Sequence, residues 1–230
     1  MNLNEIDIEK TALLFFDMLN GFYHEAGDAK KARMKPMIDN AVRLMKDGRQ
    51  AKMPIFFAKG NHRPDGMTAS NVPTDTDNAL KPWPNGVIRR GLPVAVEGSS
   101  SSQVIPELDP CPEDYYIVKN RWSAFHQTFL DLALRTRGMN TIIISGASTD
   151  IGVTATVFAG RDMDYHMIIV RDACASVYDA EVHGMLMDCV FPRMCRVRTT
   201  DEVLRMIIDS SARKYSTTMT MEIAGNDSQT

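Results

Sequence analysis

Three short stretches carry residue types that could move a proton or stabilise a developing negative charge. The apolar run Thr11–Phe16 (TALLFF) ends in Asp17. The run Tyr115–Val118 (YYIV) ends in Lys119, and Asn120-Arg121-Trp122-Ser123-Ala124-Phe125 follows. The run Thr141–Ser145 (TIIIS) ends in Gly146-Ala147-Ser148-Thr149. A carboxylate directly after apolar residues is costly to bury unless it is paired. A lysine beside it would pair it, and the two could deliver and collect a proton. Small residues that open a helix let backbone N–H groups face a ligand, and a helix N-terminus favours negative charge. Each signal also has a plain reading: a turn-capping carboxylate, a solvated lysine, an easily bent turn.

The elements around these residues give them a common place. The run Thr11–Phe16 reads as a strand buried on both faces, and the other two runs also read as strands. Met34, Met37, Ile38, Ala41, Val42 and Met45 recur at helical spacing, with Gly48 read as the stop. Pro54–Ala58 is a second strand, and a Gly-, Pro- and Ser-rich loop runs from Lys59 to about Ser102. A short strand around Val94 would fit inside it. Helices are expected over Ala124–Arg137, Thr149–Asp162, Glu181–Val190 and Thr200–Ile208. Further strands are expected over His166–Val170 and Arg196–Arg198. Thr199 or Thr200 would cap the last helix, with Asp201 and Glu202 in its first turn. Such alternation predicts one domain over 1–230, with a core of about 8–208 and a polar tail, 209–230, that is loose or packs on a neighbouring subunit. Its fold class is a three-layer αβα sandwich with a six-stranded, mainly parallel, Rossmann-like sheet. Ligands bind beyond the carboxyl ends of the strands in such sheets, where Asp17, Lys119 and the glycine turn all lie.

Composition narrows the function classes. A net charge of −3 gives no polycationic signature for nucleic acid or an anionic membrane. No apolar run approaches the ~20 residues of a membrane span. The opening MNLNEIDIEK is polar and acidic, unlike a signal peptide, so a cytoplasmic location is expected. The four cysteines form no CxxC pair, and no metal or cofactor is expected. The partner is a small-molecule substrate. The sixteen methionines read as soft core packing.

The residues quoted above resemble the isochorismatase-like hydrolase superfamily. The matching pieces are ALLFFDMLNGF around Asp17, VIPEL at Val104–Leu108, IVKNRWSAF around Lys119 and ISGASTDIGVTAT at Ile144–Thr156. IIVRDACAS at Ile168–Ser176 and TTDEVL at Thr199–Leu204 complete the match. Most of that family uses an Asp–Lys–Cys triad to hydrolyse small amides. The resemblance places the cysteine's position at Gly152. It makes Asp17 the acid or base and Lys119 its electrostatic partner. The implied function is hydrolysis of a small polar metabolite by water, without a covalent nucleophile. Two alternatives stay open: an amide hydrolase whose cysteine was replaced by glycine, and a non-catalytic relative that binds a small ligand. A homodimer or homotetramer is implied by the family habit. The resemblance also implies a cis peptide at Ala147–Ser148 that aims N–H groups at the substrate oxygen.

Further residues near the strand ends are candidates for binding the substrate. Asn20 and Phe22 follow Asp17, and Trp122 follows Lys119. His62 and Arg63 follow the second strand, where Arg63 could hold a carboxylate bidentately. Some relatives bind a metal there through further histidines; His62 and Asp65 lack the second one. Arg89 and Arg90 on the long loop have the same choice between substrate and solvent as Arg63. Asp172 reads as a loop-fixing residue and Cys174 as packing.

Overall fold

A computed structural model describes residues 2–69, 94–176 and 180–226, with side chains to residue 214. Arg89 and Arg90 lie outside the described residues. The strands are β1 (Thr11–Phe16), β2 (Ile55–Gly60), β3 (Tyr115–Lys119), β4 (Thr141–Ala147), β5 (His166–Ala175) and β6 (Arg196–Arg198). They form one sheet in the order β3-β2-β1-β4-β5-β6, and every pair is parallel. The helices are α1 (Asp28–Gln50), α2 (Leu130–Thr136), α3 (Thr154–Asp162), α4 (Ala180–Met185) and α5 (Thr200–Asn226).

The period-2 geometry of β1 explains the layers. Leu13 and Phe15 face the layer that holds Met34, Met37, Ile38 and Leu44 of α1 with Val203, Met206 and Ile207 of α5. Ala12, Leu14 and Phe16 face the opposite layer, with Leu130 and Leu134 of α2 and Val157 of α3. All six residues of β1 are buried, so its run is continuous rather than alternating. Each fully buried Leu or Phe contributes roughly 1.5–3 kcal/mol of burial free energy.

Several boundaries differ from expectation, each for a physical reason. Gly48 lies inside α1 and is not its stop. A Cβ there would overlap Leu13 Cδ1, so glycine lets the helix press onto β1. The helix expected from Ala124 begins only at Leu130. Gln127 takes a left-handed φ of 54°, and the Thr128 hydroxyl donates to the Ala124 carbonyl, which closes a separate turn. The tail expected to be loose continues α5 to Asn226. Its first part is anchored: Ser210 is buried, and its Oγ accepts the Ile8 N–H at 3.0 Å. The strand expected near Val94 is a single parallel bridge, His62 to Val96. Among the described residues, no helix is long and apolar enough to cross a membrane.

Candidate active site

The strand order reverses direction between β1 and β4, the neighbours at the centre of the sheet. In open parallel sheets a crevice forms at that point, beyond the carboxyl ends. Asp17 stands there, immediately after β1. Its φ is 49°, in the left-handed region that Asp tolerates better than most residues. Its N–H donates to the Ala58 carbonyl at 2.8 Å, which fixes the turn. Non-glycine residues held in this region cost about 1–3 kcal/mol and cluster at functional sites.

The Asp17 carboxylate has two donors. Lys119 Nζ donates to Oδ2 at 2.6 Å, and the Gly60 N–H donates to Oδ1 at 3.0 Å. Lys119 ends β3 and is the register partner of Gly60, which ends β2. A Cβ at Gly60 would lie 3.2 Å from the Ala95 Cβ, a tight approach, and at ordinary contact distance, 3.9 Å, from Asp17 Oδ1. The Lys119 side chain is 7% exposed and that of Asp17 15%, which makes the carboxylate the more reachable partner. Lys119 Nζ also sits 4.4 Å from the centre of the Phe16 ring, a cation–π contact.

The turn after β4 completes the floor. Gly146 has φ 132°, and a Cβ there would overlap the Phe16 carbonyl and lie 2.8 Å from its nitrogen. Only glycine lets β4 approach β1 so closely. The Ala147–Ser148 peptide is cis. A wide helical turn over Thr149–Val153 then leads into α3, and the Ser148 hydroxyl bonds Asp150 Oδ1. Thr149 is fully buried, and its Oγ1 lies 3.0 Å from Nδ1 of His183 on α4. Burial, then repulsion from Arg171, lowers the pKa of His183. Sequence reasoning missed His183. Its one signal was a histidine on the helix that follows the β5 strand end.

Gly152 lies within the wide turn and is buried. A Cβ built on it would meet Phe16 Cε1 inside contact distance, Phe16 Cζ at 2.5 Å and the Trp122 carbonyl at 3.2 Å. Phe16 was not singled out as a site residue. Its place in an apolar run hides it.

An isochorismatase domain profile matches residues 11–202. The chain belongs to the isochorismatase family. The isochorismatase family protein YwoC of Bacillus subtilis (strain 168) is 30% identical over 209 residues, which are 90% of this chain and 99% of YwoC. The ureidoacrylate amidohydrolase RutB of Acinetobacter baylyi (strain ATCC 33305 / BD413 / ADP1) is 27% identical over 187 residues, 78% of this chain and 76% of RutB. A crystal structure of a cysteine hydrolase from Pseudomonas syringae pv. phaseolicola 1448A shares the fold. Its TM-score is 0.74 at 24% identity, over 89% of this chain and 95% of that one. The isochorismatase family is hydrolytic and includes amidohydrolases.

Within this isochorismatase fold the other candidates separate. His62 belongs to the cluster. Burial and then the Lys119 charge lower its pKa, and its Nδ1 lies 3.4 Å from the Thr68 hydroxyl. Trp122 borders Gly152 through its carbonyl, while its side chain is exposed. Asn20 ties the turn after β1 to the segment before Val104; its Nδ2 donates to the Ser100 carbonyl at 3.3 Å. Phe22 packs on the α1 side of the core with Lys30 Nζ 5.9 Å from its ring, so it serves packing there. Arg63 is exposed and held by Asp65 at 2.6 Å, which lowers the Asp65 pKa to about 2. The pair engages Nε and Nη2 of the guanidinium.

Cys174 offers no nucleophile. It is buried, its Sγ lies 3.7 Å from the Ile144 carbonyl, and burial pushes the thiol up to about 12. Asp172 fixes a loop: its Oδ1 accepts the Thr200 N–H at 2.7 Å and so caps α5. Among the described residues, no group of three or more His, Cys, Asp or Glu could hold a metal ion.

Proposed function

We propose that the chain hydrolyses a small polar metabolite by direct attack of water, with Asp17 as the proton carrier. The 2.6 Å Asp17–Lys119 pair at the sheet's reversal point carries this reading. In the proposed step the water oxygen bonds to the substrate carbon and a water proton passes to Asp17. For a C–N substrate the bond to the leaving nitrogen then breaks and Asp17 returns the proton to that nitrogen; a vinyl ether also needs a proton on its terminal carbon as water adds. Lys119 steadies the carboxylate throughout. In this reading backbone N–H groups of the turn after Gly146 receive the charge that develops on a substrate oxygen. The neutral imidazole of His62 borders the same space as a donor or acceptor. No cofactor enters these steps.

The similarity to RutB makes ureido and amide C–N bonds the first to test; a vinyl-ether C–O bond is the other class. The experiment is a hydrolysis panel of ureido acids, small amides, carbamoyl compounds, cyclic imides and isochorismate, run beside a thermal-shift screen. Turnover of one class, undiminished by iodoacetamide, is the expected result. Ligands that raise Tm without any turnover would replace the enzyme with a binding protein.

A further inference from the structure

We propose that Phe16 fills the volume in which a nucleophile side chain at position 152 would stand, so that Phe16 and Gly152 form one interlocked pair. This rests on the reading of Gly152 given above. The neighbours of Gly152 leave no room for a side chain. A Cβ there would press on Cε1 of Phe16 and lie 2.5 Å from its Cζ. On another side stands a backbone atom, the Trp122 carbonyl at 3.2 Å, which cannot swing away as a side chain can.

The phenylalanine is no freer to move. It is 1% exposed, on the central strand. Its backbone pairs with Gly146 of β4 in the sheet, and its ring carries the Lys119 ammonium 4.4 Å from its centre. A ring so held is the kind of neighbour whose displacement costs overpacking energy. The identity of residue 16 therefore decides whether position 152 can bear a thiol. With phenylalanine there, glycine is the residue that fits position 152 without displacing a neighbour, and the chemistry is left to water.

A double-mutant cycle tests the interlock. The proteins are the parent, Gly152→Cys, Phe16→Val and the double variant. Tm is measured for each, and iodoacetamide labelling at position 152 is followed by peptide mass spectrometry. Gly152→Cys alone is expected to lower Tm by about 5 °C. In the Phe16→Val background the same substitution should cost under about 1 °C or raise Tm, because the thiol enters the vacated space. Labelling at position 152 should be at least about tenfold faster in the double variant. An equal Tm cost in both backgrounds would overturn the proposal. If Gly152→Cys alone does not fold, recovery of folded protein in the double variant supports the interlock. Failure of the double variant where Phe16→Val folds overturns it. No arm reads turnover, so the hydrolytic reading and the interlock can fail separately.

Discussion

Where α1 and α5 lie side by side, charged groups pair at the surface and apolar groups meet inside. Lys35 pairs with Asp39 one turn on at 2.7 Å, and Arg43 with Asp201 at 2.5 Å, all well exposed. Thr199 and Glu202 form a reciprocal cap: the Thr199 N–H donates to Glu202 Oε2 at 2.7 Å, and the Glu202 N–H donates to Thr199 Oγ1 at 3.3 Å. The rim beyond β1, β3 and β4 is built otherwise. It has a left-handed aspartate, a glycine wedged against a carbonyl and an ion pair almost out of water.

Substitutions at the rim should cost far more than those in the α1–α5 layer. The largest effect is expected from Gly146→Ala. The added methyl overlaps the Phe16 carbonyl at a φ that alanine avoids, so loss of at least ~3 kcal/mol, or of folded protein altogether, should appear in urea unfolding. Lys119→Ala comes next. It strands a nearly buried carboxylate, at about 3–5 kcal/mol by the same measurement. Thr199→Ala removes one helix cap and should cost only about 1 kcal/mol. Arg43→Ala, in an exposed pair, should leave the urea midpoint unchanged within error. Equal costs at Lys119 and Thr199 would erase the distinction between the two regions.

A smaller effect has a definite sign. The pKa values of His62 and His183 are both lowered in the folded chain, chiefly by burial. The unfolded chain takes up these protons from about pH 6.5 downward, and the folded chain only at lower pH. Their contribution therefore weakens the fold as pH falls below about 6.5. The His62→Gln/His183→Gln variant should lose less stability than the parent between pH 7.5 and pH 5.5, read from urea midpoints. An identical pH dependence would count against burial of the two imidazoles.

The strands, the parallel sheet and the meeting of Asp17 with Lys119 were legible because each depends on a local run and its end. Asp172 was legible as a loop-fixing acid for the same reason. Arg63 and Phe22 were harder. Whether an arginine meets a substrate or an Asp two residues on is decided by loop geometry, and Phe22 lies on the α1 side only because of how the chain turns after Asp17. Phe16 and His183 were missed because their roles come from residues 136 and 34 positions away in the chain, through packing that no periodicity records. The length of α5 was missed because a Ser- and Thr-rich segment reads as loose, while a helix already nucleated and anchored at Ser210 propagates through it.

The most direct trial of the proton-transfer claim is the turnover of Asp17→Asn against the parent, on whichever compound the panel identifies and at matched folded concentration. Asparagine keeps the shape of the side chain but cannot take up and return a proton. A fall of at least about 100-fold in kcat is the predicted result. A variant that turns over the compound as fast as the parent would contradict the account.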